Sequence, residues 1–239
     1  MMYPFTAHIL VRNEDQFVKY ALESVLPYIS NYIIYDTGST DKTVEILKKY
    51  QFEEKGPKHP NEITKLRNEM INKTKTDWFL LLDGDEVWNK DQLENYLKFT
   101  LSQPKEIKAT FLRTRNCVGD IYHYRNGTSG KYNIAGMTGH LNIRAYRKEV
   151  RWAGDYPLEH CVDSTDKNSL AFYDGYYLHM THLKRSSSQS SVLGFRKRVF
   201  DLGIKSDNLP EVLQSANFPK RSKLYEAIAG AAAIVRNLK

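Results

Sequence analysis

Apolar residues in the first hundred positions fall into two rhythms that take turns. Thr6 to Val11 is an almost unbroken apolar run that stops at Arg12-Asn13-Glu14, the pattern of a buried strand ending in a polar loop. From about Asp15 the spacing lengthens, and Phe17, Tyr20, Ala21 and Val25 share one helical face until Pro27 ends it. Tyr32 to Tyr35 is a second short buried strand, closed by Asp36. Thr37-Gly38-Ser39-Thr40 reads as a turn, and Asp41 caps a helix carrying Val44, Leu47 and Tyr50. A polar Gly/Pro loop over 51–60, with room for a short strand, leads to a helix of about Glu62 to Lys73 that groups Ile63, Leu66 and Met70. Phe79 to Leu82 is a third buried strand, and a helix with Leu93 and Leu97 follows from Asn89. Strands alternating with helices in this way predict a nucleotide-binding half on a parallel sheet, with ligands beyond the carboxyl ends of its strands.

After about residue 105 the rhythm changes. Ile107 to Arg113 and Leu141 to Tyr146 are further strands, separated by a loop over 119–139 rich in Gly, Tyr and Asn. Tyr173 to His182 is a last strand carrying two histidines. From Ser186 the chain reads as helices over Val192 to Leu202, Glu211 to Ala216 and Arg221 to Leu238. There is no internal repeat.

Composition narrows this picture only a little. The chain has 239 residues, 41% hydrophobic and 26% charged, which suits one large globular domain or one domain with an appendage. No apolar stretch approaches membrane-spanning length, and Met1 to Thr6 lacks the basic start and apolar core of a signal peptide. Cys117 and Cys161 have neither metal-site nor redox spacing, so a reducing, cytoplasmic setting is expected, and the Asn-x-Thr triplets at Asn72 and Asn126 are not read as glycan acceptors. Charge is unevenly placed. Residues 184–239 hold 11 Lys/Arg against 4 Asp/Glu, which accounts for the whole net charge of +7. That tail suits contact with an anionic membrane surface, nucleic acid or a phosphorylated acceptor, or equally a solvated helical face.

The chemistry concentrates in Asp77-Trp78-Phe79-Leu80-Leu81-Leu82-Asp83-Gly84-Asp85-Glu86. Asp83 and Asp85 are two apart, so while the chain stays extended both carboxylates leave one face, and Gly84 lets a ligand approach the backbone closely. Carboxylates grouped at the end of a buried strand repel one another unless a cation or proton relieves them. A hard divalent ion bridging to substrate phosphates is one remedy, and a solvated acidic turn is the alternative. Asn13-Glu14, Asp36 and Asp83 to Glu86 all end strands, so three polar clusters converge on one edge.

Val11-Arg12-Asn13-Glu14, Asp36 to Thr43, Leu66-Arg67-Asn68 and Asp77 to Glu86 together resemble, in order and spacing, family 2 nucleotide-sugar glycosyltransferases of the GT-A fold, most closely bacterial lipopolysaccharide-core and similar sugar transferases. The resemblance is close over residues 5–90 and looser to 183. It implies an α/β fold with a mostly parallel sheet, flanking helices and a C-terminal helical extension. It also implies a catalytic domain over 1–183, divided into a nucleotide half (1–105) and an acceptor half (106–183), ahead of a basic extension over 184–239.

The implied reaction moves a sugar, with inversion, from a nucleotide-diphosphate donor such as a UDP-sugar to the hydroxyl of a glycan, a lipid-linked or another acceptor. Mn²⁺ or Mg²⁺ would offset charge on the leaving diphosphate. By the same resemblance Asp85 is a metal ligand, Asp83 touches the ribose or the metal's shell, and Asp36 accepts from the base. Asn13 and Glu14 line the nucleoside pocket, and Arg67 reaches the diphosphate. A late histidine often completes such metal sites, and His182, nearer the end of its strand than His179, is the expected one. Relatives carry Trp-x-Gly and then a His-Glu pair that supplies the general base. Here Trp152-Ala153-Gly154 is followed by Leu158-Glu159-His160 with that order reversed, so Glu159 is the expected base and Asp155 the second choice.

Other readings compete. Ile33 to Ser39 looks like an aspartic-protease loop, but such enzymes need two copies. Leu80 to Asp85 looks like the nucleophile loop of haloacid-dehalogenase-like phosphatases, although here it ends the last strand of a nucleotide half. The basic tail, with Phe195, Phe200, Phe218 and Tyr225, would serve a non-enzymatic nucleic-acid-binding protein.

Overall fold

The computed structural model describes residues 2–125, 131–155, 160–162, 166–184 and 201–237. Glu159, the Asn126 triplet and residues 192–200 of the expected helix lie outside them.

Fourteen strands and six α-helices are present among the described residues. The N-terminal part runs β1 (Tyr3–Val11), α1 (Val18–Val25), β2 (Ile29–Asp36), α2 (Thr43–Leu47), β3 (Glu53–Glu54), α3 (Pro60–Lys73), β4 (Trp78–Leu81), β5 (Glu86–Val87) and α4 (Lys90–Leu101). The rest runs β6 (Ala109–Asn116), β7 (His123–Tyr124), β8 (Tyr132–Ile134), β9 (Met137–Gly139), β10 (Leu141–Arg147), β11 (Trp152–Ala153), β12 (His160–Cys161), β13 (Leu170–His179), β14 (Ile204–Lys205), α5 (Glu211–Gln214) and α6 (Lys223–Asn237).

Eight strands form one sheet in the order β3-β2-β1-β4-β10-β6-β13-β5. β1, β2, β3 and β4 are mutually parallel, and β6 with β13 run the same way across the antiparallel strand β10. From β1 the chain steps outward to β2 on one side and later to β4 on the other. The winding therefore reverses between β1 and β4, the position at which sheets of this kind bind ligands beyond the carboxyl ends of their strands. Register aligns those ends, pairing Val11 with Asp36 and His8 with Leu81.

The main core is apolar on both sheet faces. Phe5, Ala7, Ile9, Leu80 and Leu82 meet Val18, Leu22, Leu93 and Leu97 of the flanking helices. Tyr35 with Leu66 and Met70 seats α3 against the other face. α3 starts two residues earlier than its apolar spacing suggests, because Pro60 suits the first helical turn and the Glu62 carboxylate accepts from the His59 N–H at 2.9 Å.

Residues 201–218 pack on this body. β14 pairs with β7, Leu213 is buried with Phe17, Val87, Leu178 and Met180, and Phe218 stacks on Phe17 at 5.6 Å. Among the described residues no helix is long and apolar enough to cross a membrane.

Candidate active site

Two loops leave neighbouring strand ends and are laced to each other by side chains. The Asn13 amide oxygen accepts from the Thr40 N–H at 2.7 Å, and the Asn13 N–H donates to the Ser39 hydroxyl at 2.9 Å. Glu14 N–H donates to the Thr43 hydroxyl, and Asp15 N–H to the Asp41 carboxylate. Asn13 sits at φ 55°, a left-handed conformation that Asn tolerates better than most residues. Buried Asp36 folds its own loop: it accepts from the Gly38 and Ser39 N–H groups at 2.9 Å each and from the Ser39 hydroxyl. The Asp36 to Thr43 motif thus first builds a rigid wall, and any ligand would meet that wall.

The acidic loop after β4 lies beside it. Gly84 was expected to leave room for a ligand, but the space belongs to the protein. A Cβ there would stand 3.0 Å from the Glu14 Cβ and 3.2 Å from a Val11 methyl. Its bareness lets the loop settle on the end of β1.

Asp83 keeps a side chain 40% exposed, whereas Asp85 and Glu86 are buried. Burial pushes the Glu86 carboxyl up to about 7, against the pull of the Arg144 guanidinium that contacts it. On the far side His179 Nε2 stands 3.2 Å from Asp85 Oδ2. Burial disfavours protonating this imidazole, yet the Asp85 carboxylate, by charge and hydrogen bond, lifts its pKa above the usual value. β13 ends at His179, where the Met180 N–H donates to the Asp85 carbonyl at 2.9 Å, and His182 lies in the turn beyond. The strand thus ends three residues before the expected His182, and His179 is a ring that stands at Asp85.

Arg67 projects from α3 with its guanidinium 5.0 Å over the Trp152 ring and near enough to His8 to oppose its protonation. Asn68 holds the Trp152 backbone from both sides, accepting from its N–H and donating to its carbonyl at 3.0 Å each. Thr64 donates to the Gly154 carbonyl. Asp155, exposed, follows this clamp and lines a surface cleft with His59, Asn61, Glu62 and Lys65.

Sequence reasoning missed Arg144, Tyr177, Asn116 and His140, which come from β10, β13, β6 and the residue between β9 and β10. The Asn116 amide and His140 Nδ1 are 3.2 Å apart, and the Tyr177 hydroxyl accepts from Asn142 at 2.7 Å. No local motif marks them, and only the sheet order brings Arg144, with Tyr177 behind it, to Asp83.

Solved structures share this architecture. Glucosyl-3-phosphoglycerate synthase from Mycobacterium tuberculosis, in complex with Mn²⁺, uridine-diphosphate-glucose and phosphoglyceric acid, aligns at TM-score 0.51 and 14% identity over 74% of this chain and 71% of that one. S. aureus TarS 1-349 aligns at TM-score 0.50 and 15% identity over 75% and 60%. Such identities speak to fold alone, and the fold is the GT-A fold. The Glycosyl transferase family 2 profile matches residues 6–155, and the chain belongs to that family.

Membership removes the aspartic-protease and dehalogenase-like readings: Asp36 and Asp83 end two strands of one parallel sheet, not a repeated protease loop or a phosphatase's opening strand. Among curated proteins, the SPbeta prophage-derived glycosyltransferase SunS of Bacillus subtilis is 33% identical over 88 residues, 36% of this chain and 21% of SunS. A TPR repeat-containing protein of Synechococcus elongatus is 28% identical over 122 residues, 49% and 29% of the two chains. The matched region thus spans less than a third of either relative.

Proposed function

We propose that this chain transfers a sugar, with inversion, from a nucleotide-diphosphate donor, a UDP-sugar, to an acceptor hydroxyl, using a divalent cation. The observation that carries the reading is the meeting of Asp36, Asp83, Asp85 and His179 along one carboxyl edge of a GT-A sheet. The mycobacterial synthase of the same fold binds Mn²⁺ and UDP-glucose, which supports the donor class.

The residues fit a hard cation. Asp85 offers a carboxylate oxygen, and His179 or the expected His182 an imidazole nitrogen, a set that suits Mn²⁺ or Mg²⁺. Among the described residues no group of three or more His, Cys, Asp or Glu forms a cage, which suits an ion that takes its remaining ligands from diphosphate and water. When bound, that ion supplies charge stabilisation to the departing diphosphate. The chain's own residues do the rest. The wall of Asn13, Glu14 and Asp36 receives the nucleoside, Asp83 accepts from the ribose, and Arg67 faces the diphosphate. The segment held by Asn68 and Thr64 presents the carboxylate, Glu159 or Asp155, that takes the acceptor's proton.

Residues 1–183 form the catalytic domain, with Asn116 and His140 on its acceptor side. Residues 184–239 are the basic extension.

A thermal-shift screen of nucleoside diphosphates with and without Mn²⁺ tests this. UDP with Mn²⁺ should raise the melting temperature, and Asp85→Ala should remove the Mn²⁺-dependent part together with at least about 100-fold of turnover. An Asp85→Ala variant with intact Mn²⁺ response and turnover would refute the metal assignment.

A further inference from the structure

Three carboxylates leave four residues of chain here, and different partners, Arg144 and His179, meet them. Glu86, fully buried, accepts from Arg144 Nη2 through one oxygen and from the Asp83 N–H at 3.3 Å through the other. The same Nη2 stands 3.2 Å from Asp83 Oδ2. Arg144 Nε donates to the Tyr177 hydroxyl at 3.0 Å, and Asn142 donates to that hydroxyl from the same strand. Tyr177 itself is wedged against Trp88 at 4.8 Å. The guanidinium is therefore anchored by Glu86 and Tyr177, both fully buried, and Asp83 is the exposed group it touches. Asp85 meets His179 on the other side.

We propose that Arg144 is a positioning residue that divides the work between the two aspartates. By holding Asp83 Oδ2 it commits Asp83 to the nucleoside and leaves Asp85, with His179, to the divalent cation. The inference rests on the nucleotide-sugar reading above. A guanidinium stays charged at every accessible pH, so a cation approaching Asp83 always meets like charge. A ribose hydroxyl meets no such repulsion. Without Arg144, two carboxylates two residues apart would compete for the ion, and a hard cation gains affinity with each added carboxylate.

Removing Arg144 alone would strand a buried carboxylate, so the test variant is Glu86→Gln/Arg144→Met, which removes both buried charges and keeps an acceptor for the Asp83 N–H. Calorimetry on the full chain measures Mn²⁺ alone and UDP alone, with circular dichroism confirming the fold. Mn²⁺ affinity should rise at least about threefold as Asp83 joins the ion, and metal-free UDP affinity should fall at least about threefold. Adding Asp83→Asn to the double variant should return Mn²⁺ affinity to the wild-type level. A merely structural role for Arg144 would not tighten metal binding. If the double variant does not fold, Arg144→Lys, which keeps the charge and loses the fork, should shift both affinities in the same directions by smaller factors.

Affinities that fall together, or that do not move in the folded variant, overturn the assignment while the wild type still binds both ligands. A wild-type chain that binds neither overturns the nucleotide-sugar reading and this assignment with it.

Discussion

His8 offers a measurement in which burial is the main cause of the effect. Its ring lies in the middle of β1, 3% exposed, stacked on Phe79 at 4.2 Å between centroids and an interplanar angle of 11°. The Thr74 hydroxyl donates to the Met70 carbonyl, so His8 Nε2, 2.6 Å from that hydroxyl, is the donor and the ring is neutral. Burial first, and the Arg67 charge second, lower its pKa from 6.5 to about 3. Between those values the unfolded chain binds the proton and the native chain does not, so stability falls as pH falls.

The full linkage is about 5 kcal/mol, of which about 2 kcal/mol is lost between pH 7 and pH 5. Urea unfolding of wild type and His8→Leu at both pH values isolates this contribution. Leucine keeps the volume and leaves Thr74 its bond to Met70, while carrying no proton. Wild type should lose about 2 kcal/mol more than His8→Leu over that interval. Equal losses, within about 0.5 kcal/mol, would show that His8 is protonated in the native state and would refute the reasoning.

Gly38 sits at φ +89° with the Pro57 nitrogen 2.6 Å from where a Cβ would be, so Gly38→Ala should cost about 2 kcal/mol or more in urea unfolding. Asn68→Ala removes both bonds to Trp152. Limited proteolysis should then cut near residues 152–155 faster than in wild type, and kcat should fall more than donor affinity if, as proposed, the clamped segment leads to the general base. Glu159→Gln should lower kcat by about 100-fold or more and leave UDP–Mn²⁺ binding unchanged, and Asp155→Asn should do so only if it is the base.

The alternating strands and helices of the first hundred residues are legible because their information is local. Buried strands that end in carboxylates, and helices marked by Phe17, Val44 and Leu66, need only neighbouring residues to declare themselves. The two-residue strand β3 was not legible, since Glu53-Glu54 has no apolar signal and exists by pairing with Tyr35 and Asp36. The end of β13 was misplaced because its boundary is set by the Asp85 carbonyl capturing the Met180 N–H, a partner 95 positions away. At Gly84 the close approach that the fold itself supplies is that of Glu14 and Val11, which no local pattern announces.

By itself the sequence determined which carboxylates stand at strand ends, because hydrophobic period and strand length are properties of a few consecutive residues. Tertiary structure decided what faces them. Arg144 reaches Asp83 across 61 residues only because β10 runs antiparallel between β4 and β6, and His179 reaches Asp85 only because β5 and the loop before it fold back on the end of β13. The charge of this site is written locally, but the partners of its carboxylates come from strands whose order no local pattern encodes.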